Sequence, residues 1–274
     1  MEFEKVLTSV KKKKPLVQCV TNFVTVNDCA NIILASGGSP PMASHPLEVE
    51  EAVAGVQALV CNMGAIEKVD AMVLAGKEAN RLGKPVILDP VGAGGTKLRR
   101  DAVMRLLDEV CFTVIRGHAS EIRYLAGQQT TGSGVDVSSL DEITEENLSA
   151  AVSMAKKLAE KLLTVIAISG KIDVISDGKR SCVLRNGCAT MARITGSGCM
   201  LTALIGAFCG AYEDAFVAAC AAMAAMGISG EIADGKRLQN GTGNATFRND
   251  LIDAVFNMTE DKMKEGIRYE VYKR

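Results

Sequence analysis

The residues Thr195-Gly196-Ser197-Gly198-Cys199 stand directly before an uncharged run, residues 200–208. Glycine at 196 and 198 lets the backbone pass close to a ligand. If the run is a helix, its first free amides point at that ligand, with the positive end of the helix dipole behind them. The chemistry is that of an anion hole, where each donor aimed at developing charge lowers a barrier by ~3 kcal/mol. A tightly packed helix start has the same pattern, so the turn needs partners before it implies catalysis.

Partners stand at the ends of other apolar runs. Thr21 and Asn22 follow residues 15–20, Asn62 and Gly64 close 58–62, and Asp89 follows 86–88. Arg116 and Glu121 come after 112–115, and Ser169 and Gly170 after 164–168. In open α/β sheets ligands bind beyond the carboxyl ends of the strands, where all of these fall. Turn chemistry accounts for any one of them alone, but polar ends on every run exceed what strand termination requires. No GxxxxGK[ST] occurs and no GxGxxG follows the first run, so neither a P-loop nor a dinucleotide fingerprint is present. A phosphate site would have to form late in the chain, together with Asp89, Arg116 and Glu121.

Positioning these residues takes alternating strands and helices. The five runs are short and apolar, as strands buried on both faces are. Between them Val69, Met72, Val73 and Ala79 recur at helical spacing within 67–81. Further helices are expected through 30–34, stopped by Gly37-Gly38 and Pro40-Pro41, at 97–107, after Ser120, and from Asn147 to 162. Asp177-Gly178-Lys179 joins 173–176 to 180–184 as a hairpin. Residues 128–140 are polar and Gly-rich and read as a disordered surface loop. After Gly196 the chain reads as helices to about Met258, with a charged tail behind. The expected fold class is α/β, a mostly parallel central sheet flanked by helices on both faces. With no Pro- or Ser-rich linker, no repeat and no shift in composition, residues 1–274 read as one domain.

Composition excludes other classes. Net charge is −1 and aromatics are 4% with no Trp, which suits neither nucleic acid nor an anionic membrane as partner. Lysines 11–14 read as a solvated surface turn. Residues 200–212 and 215–228 are apolar, yet each is shorter than the ~20 residues a membrane span needs. They read as buried helices. Nine cysteines include no CxxC pair, which removes a redox dithiol, and two histidines make a His-based zinc site untenable. Cys19, Cys29, Cys61, Cys111, Cys209 and Cys220 lie in apolar segments and read as small buried hydrophobes. No apolar signal region opens the chain, so a cytoplasmic location is expected.

Six stretches, taken in order, resemble the hydroxyethylthiazole kinases, a branch of the ribokinase-like kinases. They are VTNFVTVNDCANIILASGGSPPMA (20–43), VILDPVGAGGTKLR (86–99), VIRGHASEI (114–122), ITGSGCMLTALIGAF (194–208), AAMAAMGISGEIA (221–233) and GNATFRNDLIDAV (243–255). The resemblance covers nearly the whole chain. It implies ATP- and Mg2+-dependent phosphorylation of the primary alcohol of 4-methyl-5-(2-hydroxyethyl)thiazole, as in thiamin salvage. It also implies a homotrimer with active sites between neighbouring subunits. Carried over by position, Asn22, Met42 and Gly64 would line the thiazole pocket, with backbone from Gly196. Arg116 and Ser169 would contact ATP, Asp89 and Glu121 would stand near magnesium and its waters, and Gly196, Gly198 and Cys199 would form the reaction centre.

Each role suits its side chain. Met42 after two prolines offers a flexible thioether to an aromatic ring. Arg116 offers a fork to phosphate oxygens, and the carboxylates offer hard oxygen ligands. Three positions depart from the wider pattern. His118 replaces the usual Asn beside Arg116, so its titration near neutral pH would make ATP binding pH-dependent. Gln18 stands where His is common and reads as structural. Cys199 stands where most ribokinase-like kinases carry a basic Asp. A helix N-terminus favours a thiolate there, an approaching triphosphate opposes it, and Cys199 is expected to assist without being indispensable. Competing readings are a ribokinase-like kinase for hydroxymethylpyrimidine or pyridoxal, and an idle protein that only binds thiazole or nucleotide.

Overall fold

The runs VQCV, ALVCN, VILD, VIRGH and VIAIS can be strands only if both faces are covered. In the computed structural model, which describes residues 1–128 and 142–273, they are β1 (Val17–Val20), β2 (Ala58–Asn62), β3 (Val86–Asp89), β4 (Val114–His118) and β5 (Val165–Ser169). They pair in parallel in that order. The expected hairpin forms as β6 (Asp173–Ser176) and β7 (Arg180–Leu184), and β8 (Tyr269–Lys273) adds an antiparallel edge to an eight-stranded sheet ordered as in the sequence.

Helices cover both faces, as expected. One layer holds α3 (Val49–Ala54), α4 (Val69–Arg81), α5 (Lys97–Glu109), α6 (Ala119–Leu125) and α7 (Leu148–Leu162), packed around Met72, Leu88, Leu106 and Ile166. The other holds α1 (Phe3–Lys13), α2 (Val26–Ser36), α8 (Ser197–Ala211), α9 (Ala215–Asn240), α10 (Asn244–Phe256) and α11 (Glu260–Gly266), around Ile33, Ile205, Phe208 and Phe247. α8 lies directly on the sheet. A Cβ at Gly206 would stand 2.6 Å from Val60 Cγ2 and 3.0 Å from Val17 Cγ1, so only glycine permits this approach.

Several expectations need correction. Lysines 11–14 are not a surface turn but the end of α1, whose Phe3, Val6, Leu7 and Val10 are buried at helical spacing. Lys13 Nζ donates to Ala211 O at 2.8 Å, a carbonyl that the end of α8 leaves open, and Lys11 Nζ to Met258 O at 2.5 Å in the turn between α10 and α11. The fourth strand begins at Val114 rather than residue 112 and runs on to His118, so Arg116 sits within the ladder opposite Ala167. The charged tail forms α11 and β8, because β7 otherwise presents an open edge. α9 does not stop near 228. It spans 26 residues, is long and apolar enough to cross a membrane by length and composition, and has 78% of its apolar window buried inside the fold. Cys111 is exposed, not buried. The loop expected at 128–140 lies, after its first residue, outside the described residues.

Candidate active site

α8 begins at the carboxyl ends of the parallel strands. Gly196 caps it at φ +84, a left-handed conformation in which a Cβ would press within 2.5 Å of Thr25 Cγ2. Met200 N bonds Gly196 O at 2.8 Å, which leaves the amides of Ser197, Gly198 and Cys199 ahead of the first intrahelical bond. Gly198 is needed for another reason: a Cβ there would stand 2.5 Å from Arg116 Nη1. The helix start and the guanidinium thus share one space.

Arg116 is 3% exposed and Asp89 1%, and Arg116 Nη1 lies 3.7 Å from Asp89 Oδ2. Arg116 Nη2 also donates a short bond to Ser169 Oγ at the end of β5. Asp89 Oδ2 accepts from Asn62 Nδ2 at 3.0 Å and Thr202 Oγ1 at 2.8 Å. Asp89 Oδ1 and Arg116 Nε have no partner among the described residues. Burial raises the Asp89 carboxyl above the ordinary range, against the pull of Arg116.

On the other flank, Asn22 Oδ1 accepts from Val24 N (3.1 Å), Thr25 N (3.1 Å) and Thr25 Oγ1 (3.2 Å). Its Nδ2 therefore faces Asn62 Oδ1 at 3.1 Å and Cys199 Sγ at 3.7 Å. Gly64 N bonds Asn62 Oδ1 at 2.8 Å. Met42 is half-buried against the core around α2 and α8, in a loop pinned by Cys19 N to Pro41 O (3.0 Å) and Gln18 Nε2 to Ala43 O (3.0 Å). Gln18 is structural, as expected.

Asn22, Asn62, Asp89, Arg116, Ser169, Gly196, Gly198 and Cys199 thus come together, while Glu121 turns inward. Its Oε1 accepts from Gly92 N at 2.8 Å and its Oε2 from His118 N at 2.7 Å, the latter capping α6. Both oxygens are committed to backbone. Among the described residues no three His, Cys, Asp or Glu side chains form a set able to hold a metal.

Two charge expectations change. Burial, and then the Arg116 charge, push His118 down to about 4, so it stays neutral near pH 7 and gives no neutral-pH switch. Burial pushes the Cys199 thiol up, with Asp89 adding to the shift, so the side chain rests as a thiol near neutral pH.

Sequence reasoning missed Thr202, Thr25 and Asp173. Thr202 is a lone hydroxyl one turn into an apolar helix, which is a readable signal. Asp173 gave none. It is buried at the start of β6, where its Oδ1 accepts from Gly170 N at 2.9 Å and holds the turn after Ser169.

Burial raises Asp173 from 3.8 to about 7. A carboxyl with a raised folded-state pKa binds its proton more tightly folded than unfolded, so its contribution to stability falls as pH climbs through that window. Asp173→Asn keeps the acceptor and removes the charge. Relative to the wild type it should gain roughly 1 kcal/mol or more at pH 8 and nothing below pH ~4. Paired thermal melts across pH check this, and an equal offset at both ends would contradict it. His118 has the opposite sign, since its depressed pKa removes stability as pH falls from 6.5 toward about 4. That term is common to both proteins and cancels.

The sequence model of the Hydroxyethylthiazole kinase family matches residues 7–261. The chain is 47% identical over 272 residues to the hydroxyethylthiazole kinase of Clostridium botulinum (strain Eklund 17B / Type B), covering 98% of this chain and 96% of that one. Against the hydroxyethylthiazole kinase of Clostridium acetobutylicum it is 46% identical over 269 residues, covering 97% and 98%. The solved hydroxyethylthiazole kinase protein of Pyrococcus horikoshii OT3 superimposes with a TM-score of 0.86 at 32% identity, covering 99% of each chain. A Staphylococcus aureus pyridoxal kinase solved with ADP gives a TM-score of 0.61 at 15% identity over 94% of this chain and 98% of that one, a likeness of fold alone. These agree with the ribokinase-like α/β fold expected above. The chain belongs to the hydroxyethylthiazole kinase family.

Proposed function

We propose that this protein, as one kinase domain, transfers the γ-phosphoryl group of ATP to the primary hydroxyl of 4-methyl-5-(2-hydroxyethyl)thiazole, forming its phosphate monoester for thiamin salvage. The observation that carries the reading is the start of α8 opposite the buried Arg116–Asp89 pair, with Asn22 beside Cys199.

Phosphoryl transfer depends mainly on positioning and charge stabilisation. The thiazole would lie between Asn22 and the Met42 loop, its hydroxyl toward Cys199. The amides of Ser197, Gly198 and Cys199 would receive the transferring group, and Arg116 and Ser169 the remaining phosphates. Arg116 Nε, buried without a partner among the described residues, would offer a further donor to the phosphates. Magnesium fits through Asp89, whose Oδ1 is buried without a partner, and without a cage of protein ligands. That matches the usual holding of this ion by one or two carboxylates, phosphates and waters. Glu121 would act indirectly, by fixing the Gly92 and His118 amides. Bound magnesium supplies charge neutralisation on the phosphate oxygens.

Cys199 is protonated at rest, so no standing thiolate waits for the alcohol proton. The amides and Arg116 then carry most of the acceleration. All nine cysteines are free, which fits a reducing cytoplasm. Beside Asn22 and the Met42 loop, Phe23 is 84% exposed and Leu47 91%. We assign this apolar rim to the contact with a neighbouring copy in a homotrimer.

Incubation with Mg-ATP and hydroxyethylthiazole should yield the phosphate monoester, while pyridoxal and hydroxymethylpyrimidine give markedly less. ATP binding without any alcohol product would revert the reading to an idle binding protein. Cys199→Ala should retain turnover within ~10²-fold, at the low end of what a general base contributes, and Cys199→Asp should stay active. Complete loss in folded Cys199→Ala would make the thiol indispensable. Gly198→Ala should lower kcat/KM by at least ~10²-fold, because its methyl displaces Arg116 by about an ångström. Wild-type kinetics in that variant would separate Arg116 from the helix start. Light scattering should give the mass of three chains, and Phe23→Asp should reduce it. A monomeric wild type would remove the trimer.

A further inference from the structure

Asn62 ends β2, between the strand that leads to Asn22 and the strand that ends at Asp89, and its register partner is Asp89. It is 1% exposed, like Asp89, but both polar atoms of its amide are taken up by protein partners, Asn22 and Gly64 on one side and Asp89 on the other. The polarity of its amide is nevertheless determined. Three donors load Asn22 Oδ1, so Asn22 must present N–H to its neighbour. Asn62 therefore turns Oδ1 toward Asn22 and Gly64 N, which leaves only its Nδ2 for Asp89 Oδ2 at 3.0 Å. A carboxylate in its place lacks the donor, and an aliphatic chain lacks both groups.

Two independent features point the same way. A Cβ at Gly64 would stand 2.6 Å from Asn22 Nδ2 and 2.7 Å from Asn62 Oδ1, so the chain keeps glycine where any side chain would wedge this one bond apart. On the far side, Asn62 and Thr202 both donate to Asp89 Oδ2, which holds the carboxylate so that Oδ1 remains open.

We propose that Asn62 is a positioning residue whose side-chain amide sets the alcohol-binding Asn22 and the phosphate-facing Asp89 in one geometry, while touching neither ligand. The proposal rests on the functional reading above. Gly64 then acts by leaving room for the relay rather than by lining the thiazole pocket.

The relay predicts a division of effects that a merely structural asparagine would not show. Asn62→Asp keeps the acceptor for Asn22 but sets a second carboxylate against Asp89. Hydroxyethylthiazole should bind it within about threefold of wild type, while Mg-ADP affinity and kcat fall by roughly tenfold or more. Gly64→Ala should do the reverse, weakening the alcohol by roughly tenfold and leaving Mg-ADP unchanged. Asn62→Ala should weaken both, and adding Gly64→Ala to it should cost nothing further for the alcohol. Asn62→Ser replaces Asn62→Ala if the latter fails to fold in circular dichroism melts. Calorimetry with each ligand separately reads the binding side without turnover. If Asn62→Asp and Gly64→Ala each weaken both ligands equally, or neither, or if Asn62→Ala weakens neither, the relay alone is overturned. A wild type that does not bind the alcohol overturns the functional reading and the relay with it.

Discussion

Arg116 holds a full positive charge with 3% of its surface exposed, 3.7 Å from Asp89. Desolvating such a pair costs about several kcal/mol per ion, and attraction offsets this only when the remaining donors and acceptors are satisfied. Here they are not. Among the described residues, Arg116 Nε and Asp89 Oδ1 are both buried without partners. The pair is thus a charge held open by its surroundings rather than a stabilising bridge. Exposed pairs such as Lys97–Asp101 contribute about 0–1 kcal/mol at most, so the cost is met by the two apolar layers. In the proposed function, an anion with a cation reaching those two atoms would complete the network.

The strand order explains where this pair could be placed. Ligand crevices in open α/β sheets usually form where strand order reverses, yet this sheet runs in sequence order from first strand to last. Here α8 gathers the site residues instead. Coming late in the chain, it starts at the carboxyl ends of the parallel strands and runs down the sheet, in contact with Val60 and Val17 at Gly206 and with Pro15 and Ala58 at Gly210. Its first amides consequently meet the ends of β3 and β4. Small residues in α8 set this approach: side chains at 198 or 206 would push the helix off Arg116 or off the sheet.

Local features were legible in the sequence, and contacts between distant segments were not. The second strand and the hairpin match their expected bounds, because Asn62-Met63-Gly64 and Asp177-Gly178 are strong turn signals. The fourth strand was displaced because Phe112 and Thr113 have strand propensity of their own, whereas Arg116 and His118 look like termini until the neighbouring strand pairs with them. α1 carried a readable apolar spacing that the lysine run obscured. The tail carries a short alternating, strand-prone segment, Tyr269-Glu270-Val271-Tyr272, but its charge obscured it and its partner lies some ninety residues earlier. The same divide runs through the site. The glycine turn, Asn22, Asp89, Arg116 and Ser169 could be picked out by position, but the inward turn of Glu121 and the hold of Asp173 on Gly170 depend on tertiary neighbours.

Cys199 shows why composition at one position can answer two demands. At a helix start the dipole favours a thiolate, and that alone suggests a ready base. Burial and the Asp89 charge raise the thiol, and the side chain packs on the apolar cluster behind α8. A resting carboxylate there would bring one more negative charge to a space that already faces Asp89 and must admit a triphosphate. Alanine would pack but could not accept from Asn22, whose second hydrogen points at the sulfur 3.7 Å away. A thiol does both while remaining neutral. In the proposed reaction, charge stabilisation would fall to groups that need not change protonation state, the three leading amides and Arg116, and the close approach of α8 sets these side by side.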